Sequence, residues 1–263
     1  MALFDIKLFS TVLQTQTDIR VILPTPDNDP SSKETPFYDG GKRYQVLYLL
    51  HGATGDCTVW NRYSGIERYA QKYRLAVVCA SVGNSFYADM AHGGKYLTYM
   101  TQELPAFIGH MFPVSHRRED TFIAGICMGG FGAFRLALET PERFARAASL
   151  SGALDVIALG AAPGVGLGGV FDPADLKPGS SNDLPALAGR LLAEGRSLPG
   201  FYQCCGTEDF LYAMNLSARD ALVAQGVELT YEESPGAHDW DYWDVQIQRV
   251  LRWLPLAGSL VDA

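Results

Sequence analysis

Residues 125–130 read Gly-Ile-Cys-Met-Gly-Gly and join the apolar run Thr121-Phe-Ile-Ala124 to the stretch Phe131-Gly-Ala-Phe-Arg-Leu-Ala-Leu-Glu139. The first run suits a buried strand and the second a helix, so the six residues between them read as a strand-to-helix turn. On a sharp turn of this kind the middle residue, here Cys127, projects from the end of the sheet, and small neighbours let strand and helix approach closely. Gly125, Gly129 and Gly130 supply that room.

Short apolar runs recur on both sides of this turn, at 44–50, 75–80, 145–150 and 201–205, separated by longer segments with helical spacing. Strands covered by helices on both faces read this way. Leu97, Met100, Leu104, Phe107 or Ile108, and Met111 mark one amphipathic helix, with Pro105 expected to kink it; Trp240, Trp243, Ile247, Val250 and Leu254 mark another. Near the start, Ile19, Val21 and Leu23 alternate as in a half-buried strand, which is expected to pair with residues 4–13 in an antiparallel hairpin. Residues 25–43, rich in Pro, Asp and Gly, suit a surface loop. A last strand is expected at 227–232. The expected fold is α/β: a mostly parallel sheet, an opening antiparallel hairpin and helices on both faces.

One region interrupts the alternation. Residues 152–199 are rich in Gly, Ala and Pro and keep no sustained period, so they read as a lid-like insertion over the site within a single domain spanning 1–263.

The chain has 263 residues, 48% of them apolar, enough for a sizeable core. A net charge of −8 without a basic stripe argues against nucleic acid as a partner. The N-terminus carries Asp5 and Lys7 inside its only apolar part, so neither a secretory signal nor a membrane span is expected. Five scattered cysteines resemble neither a disulfide framework nor a paired metal site, and a cytoplasmic location is the expectation. No metal and no cofactor are expected, because there is no ligand cluster and the glycines at 164–169 lack the flanking strand and helix of a dinucleotide site.

A nucleophile at Cys127 requires a base, and in this architecture the orienting acid and the base follow it in the chain. His238 lies in the loop between the last expected strand and the last helix, at the end of the sheet where open α/β folds place their chemistry. Glu208 and Asp209 stand in the loop after the preceding strand, where ordinary turn and capping chemistry would also use them. Upstream, His51-Gly-Ala-Thr-Gly55 closes a strand and suits a loop whose Ala53 N–H, with that of Met128, faces a developing oxyanion. His92, His110 and His116 lack such a setting. Trp60, Phe86, Tyr87 and Trp240 are candidate walls of a pocket for short acyl or aryl groups.

The segments YLLHGATG, FIAGICMGGFGAFRLAL, SLSGAL, CCGTEDFLY and GAHDWDYW, in this order and spacing, resemble the esterase D family of α/β hydrolases. They are most like its tributyrin esterase and cinnamoyl (feruloyl) esterase branch, with S-formylglutathione hydrolase a more distant likeness. The resemblance implies an α/β-hydrolase fold, a small-molecule ester as substrate, Asp209 rather than Glu208 as the acid, His238 as the base, and Ala53 and Met128 as the oxyanion donors. Relatives are often dimers, so it also implies a homodimer.

The family pattern is G-x-S-M-G-G, and Cys127 departs from it. Thiolate is the reactive form of cysteine, and a helix N-terminus and a neighbouring imidazolium both favour it. Dienelactone hydrolases and polyhydroxyalkanoate synthases resemble this chain in having a cysteine there. The leading expectation is a carboxylic ester hydrolase working through a Cys127–His238–Asp209 triad and an acyl-enzyme. The rivals are an acyltransferase or thioesterase using the thiol, a serine esterase whose nucleophile has been substituted, and a non-catalytic ligand-binding protein on a hydrolase scaffold.

Overall fold

A strand apolar at every position must be covered on both faces, and the central sheet is built on that condition. The computed structural model describes residues 1–26, 40–162, 164 and 166–262. Its strands are β1 (Ala2–Ser10), β2 (Thr15–Leu23), β3 (Lys42–Arg43), β4 (Val46–Leu50), β5 (Ala76–Ala80), β6 (Thr121–Ile126), β7 (Arg146–Leu150), β8 (Gly200–Gly206), β9 (Leu229–Ser234) and β10 (Val261–Asp262). Eight of them form one sheet in the order β1-β2-β5-β4-β6-β7-β8-β9, while β3 and β10 make a separate ribbon. β1 and β2 are antiparallel, β2 joins β5 antiparallel, and the remaining pairs in the sheet are parallel.

The helices are α1 (Val59–Tyr63), α2 (Ile66–Tyr73), α3 (Tyr96–Thr98), α4 (Leu104–Met111), α5 (Met128–Glu139), α6 (Val156–Ala161), α7 (Leu184–Ala193), α8 (Tyr212–Ala224) and α9 (Trp240–Trp253). Period-two alternation splits the core between the two faces of the sheet. Val46, Tyr48 and Leu50 of β4 join one cluster with Phe131 and Phe134 of α5, Leu184 of α7 and Leu222 of α8. Leu47 and Leu49 join the other, with Trp60 of α1, Ile66 of α2 and Ile247 and Val250 of α9. From Met128 to Leu138 every residue of α5 is buried, which is why its sequence is apolar nearly all round.

Several expectations shift. The opening antiparallel hairpin forms as expected, but its first strand spans 2–10 rather than 4–13, because residues 11–14 make the turn into the second strand at 15–23. The last strand begins two residues later than expected and runs to Ser234, because an edge strand tolerates the polar Glu232, Glu233 and Ser234. The expected surface loop at 25–43 lies largely outside the described residues. The expected kink at Pro105 is a widened π turn, Tyr99–Glu103, set between α3 and α4. Pro105 itself occupies the first turn of α4, where its missing N–H costs nothing.

Within 152–199, α6 and α7 were hidden by their Gly, Ala and Pro content. Asp155 caps α6 by accepting from Ala158 N, and Asp183 caps α7 by accepting from Ala186 N. α7 packs on α5 and α8 and is the crossover that parallel β7 and β8 require. Among the described residues, no helix is long and apolar enough to cross a membrane.

Candidate active site

Each candidate functional group sits in a loop at the C-terminal end of a parallel strand: Ala53 after β4, Cys127 after β6, Asp209 after β8 and His238 after β9. Such ends converge on one rim of the sheet.

Cys127 takes φ 53° and ψ −118° at the N-cap of α5, a left-handed backbone that non-glycine residues rarely adopt. The turn is held from both sides. Cys127 N donates to Leu150 O at 3.1 Å, and Cys127 O accepts from Gly130 N at 2.9 Å and Ala153 N at 3.0 Å. A Cβ on Gly129 would fall 2.6 Å from His51 O and 2.8 Å from Leu50 O, so only glycine lets α5 start this close to β4.

His238 Nδ1 meets both carboxylate oxygens of Asp209, at 3.0 and 2.9 Å. Burial opposes a charge on the ring, but hydrogen bonds to Asp209 and Cys127, reinforced by their charges, win and raise its pKa to about 9. Burial likewise pushes the Asp209 carboxyl up, yet the hydrogen bonds from His238 and the Leu211 amide hold it below its ordinary value. Asp209 is thus an anion fixed in place, and His238 carries a proton at neutral pH.

Glu208 faces elsewhere. Its carboxylate accepts from Gly236 N and from Thr207 Oγ1, and its own N–H donates to Gly236 O at 3.1 Å. This reciprocal pair staples the loop that carries Asp209 to the loop that carries His238.

His51 is buried with both ring nitrogens bonded: Nδ1 lies 2.7 Å from Gly52 O, and Nε2 accepts from Val82 N at 3.1 Å. Burial lowers its pKa, so it is a neutral pin for the loop after β4. A Cβ on Gly52 would lie 3.2 Å from Cys127 Cβ, which places the 52–53 backbone directly beside the thiol. Among the described residues, nothing accepts from Ala53 N or Met128 N.

The cleft at this point encloses about 460 Å³ and is lined by 52–55, Val59, Tyr63, Ile126, Cys127, His238, Trp240 and Trp243. A larger hollow of about 770 Å³ lies between the hairpin and the 55–58 loop, but it contains no nucleophile–base pair. Of the four expected wall residues only Trp240 lines the cleft. Trp60 is fully buried beneath Trp240, edge-on at 5.1 Å, with its indole N–H donating to Leu50 O at 3.0 Å. Tyr87 is also fully buried and its hydroxyl donates to His51 O at 3.0 Å, so both are core. Phe86 packs on Phe131 and Phe171 and does not line the cleft. No described residue of 152–199 lines it either.

Four residues near the ring escaped the sequence reading. Phe210, 77% exposed, packs against His238 at a tilt with centroids 4.5 Å apart, and Trp243 meets the ring edge-on at 4.9 Å. Trp243 Nε1 donates to Ser151 Oγ at 3.0 Å, and the Ser151 hydroxyl serves the Asp209 carboxylate. Tyr63 lies at the mouth against Trp240, 5.4 Å away. Three of these stand inside SLSGAL, CCGTEDFLY and GAHDWDYW, so the segments were visible although the roles were not. Among the described residues, no cluster of His, Cys, Asp and Glu is arranged to hold a metal ion.

A mostly parallel sheet in this strand order, with Cys127, Asp209 and His238 brought together on the loops after β6, β8 and β9, has the form of an α/β hydrolase. Known proteins agree with that class. The chain belongs to the family described as "Putative esterase", which it matches over residues 10–254. It is 33% identical to an acetyl esterase of Caldicellulosiruptor saccharolyticus, over 97% of this chain and 98% of that one. Among solved structures it is similar to a fluorophosphonate-binding serine hydrolase of Staphylococcus aureus, with a TM-score of 0.87, 32% identity, and 96% and 98% of the two chains covered. An S-formylglutathione hydrolase from the same organism gives a TM-score of 0.82 and 34% identity, again over 96% and 98%. The protein is an esterase-type hydrolase.

Proposed function

We propose that the protein hydrolyses carboxylic esters of short acyl or aryl acids, hydroxycinnamoyl esters included, through Cys127, His238 and Asp209. The observation that carries this reading is the Asp209–His238 pair turned toward a thiol on a left-handed elbow, at the mouth of an aromatic cleft. The Cys127 thiolate attacks the ester carbonyl carbon, forming a C–S bond and an oxyanion that the Ala53 and Met128 amides receive. Protonated His238 gives its proton to the departing alkoxide, and Asp209 keeps the ring in register. Neutral His238 then takes a proton from water, which attacks the thioester and releases the acid and the thiolate. A cleft of about 460 Å³ walled by Tyr63, Trp240 and Trp243 suits an acyl or aryl group.

A second reading is favoured by the thiol and by the likeness to an S-formylglutathione hydrolase: the preferred substrate is a thioester, or the acyl group passes to a thiol or alcohol instead of water. One set of assays separates them. Wild type, Cys127→Ser and Cys127→Ala are compared on acetyl, butyryl and feruloyl esters and on matching thioesters, with and without an added alcohol or thiol. Hydrolysis of oxygen esters lost in Cys127→Ala supports the proposal. A large gain in Cys127→Ser would mark a scaffold tuned to serine, and dominant transfer to the added acceptor would replace hydrolysis as the reaction. Unchanged turnover in Cys127→Ala would overturn the nucleophile assignment.

A further inference from the structure

The two edges of the eight-stranded sheet are unlike. β9 carries Glu232 and Glu233, so a second copy laid against it would bring like charges together, a usual defence of an open edge. β1 differs: it is nine residues long, exposes Leu3 at 41% and Phe9 at 54%, and its two charges, Asp5 and Lys7, are opposite in sign, so they do not repel a second copy of the same strand. Among the described residues no strand pairs with its outer side, and an open edge of this length is a template for another strand.

The sequence of β1, Ala-Leu-Phe-Asp-Ile-Lys-Leu-Phe-Ser, is self-complementary about Ile6. Two copies running antiparallel with Ile6 opposite Ile6 set Leu3 against Phe9 and Asp5 against Lys7, each twice by symmetry. Cross-strand apolar and opposite-charge pairs of this kind stabilise a sheet. Within the chain Lys7 already meets Asp18 at 2.6 Å and Asp5 meets Arg20 at 2.5 Å. Across the joint the charges would therefore run Asp18, Lys7, then Asp5 and Arg20 of the second copy, alternating in sign. A slip by one pleat in either direction would oppose Asp5 to Asp5 or Lys7 to Lys7, so charge fixes the register.

We infer that β1 is a homodimer interface, joining two copies edge to edge about Ile6 into one continuous sheet. The contact is isologous, as a two-fold dimer requires, and leaves both catalytic clefts open because they lie at the strand ends.

Sedimentation of the full chain and of two variants tests this. Wild type is expected at twice the chain mass of 28.7 kDa. Phe9→Glu and Leu3→Arg each place a charge against an apolar residue in their own homodimers and are expected to weaken association at least about tenfold, while retaining wild-type esterase turnover as proof of folding. Mixed together they form a heterodimer in which the introduced carboxylate of one copy meets the introduced guanidinium of the other and the second Leu3–Phe9 pair is intact, so dimer mass returns. A monomeric wild type, variants that both stay dimeric, or a mixture that stays monomeric would each overturn the inference.

Discussion

Cys127 is held at φ 53°, a conformation that costs on the order of 1–3 kcal/mol for a non-glycine residue and persists only where its surroundings impose it. The strain aims the sulfur at His238, and the ring's chemistry follows from that neighbour. In the proposed mechanism the proton for the leaving alcohol comes from His238, whose pKa is about 9, so ester turnover should fall as pH rises past about 9. In Cys127→Ser the base must be neutral, and the profile should reverse, rising with pH through the ring's own titration. A pH–rate comparison of the two proteins checks this. Asp209→Asn should lower kcat by up to about 10⁴-fold with little change in KM, because the ring loses its orienting anion. The same ring links to stability. Its proton is held more tightly in the folded than in the unfolded chain, so its contribution is complete below pH 6.5 and disappears as pH rises to about 9. Asp209 acts in the opposite direction, stabilising above its unfolded value of 3.8 and ceasing to do so as pH falls through its lower folded one. At this scale the sequence singled out Cys127, His238 and the carboxylates Glu208 and Asp209, and the fold brings Cys127, His238 and Asp209 together. The sequence did not reveal that Trp60 and Tyr87 are core, since an aromatic beside a motif has the same composition whether it faces substrate or lies beneath. Trp60→Phe should leave KM unchanged and cost about 1–3 kcal/mol in denaturant unfolding, as Leu50 O loses its donor.

Elements were legible where a period ran long enough. β4, β5, β6, β7 and β8 and helix α9 were evident because each is covered in one consistent way. α6 and α7 were not, because Gly160, Pro185 and Gly189 break the pattern and the capping aspartates carry information only once the helix is known. The π turn before α4 escaped for a similar reason: five residues that widen a helix keep nearly helical spacing. The elbow, by contrast, is written in its glycines. Gly129→Ala would press a methyl on two main-chain oxygens and should cost about 3 kcal/mol or more, visible as a lowered Tm or loss of soluble protein. The Glu208–Gly236 staple is milder. Glu208→Ala should keep the fold while lowering kcat by up to about 10²-fold, through looser placement of His238 against Asp209, measured by single-turnover kinetics.

Across the whole molecule, the architecture sorts its five thiols. Cys57, Cys79, Cys204 and Cys205 are buried, and burial raises the pKa of each, whereas Cys127 stands at the cleft. Iodoacetamide added to the native protein near neutral pH should therefore attach once per chain, at Cys127, and mass spectrometry should find the other four alkylated only after unfolding. Such selectivity makes the chain a natural one-handled reagent. A dye, an affinity tag or a solid support bearing an electrophile would be grafted at one known spot on the rim, with no competing residue to remove beforehand. The same exposure is a hazard in oxidising surroundings, where peroxide would silence the esterase by converting that lone handle to a sulfenic acid, which a reductant can still rescue before further oxygen is added.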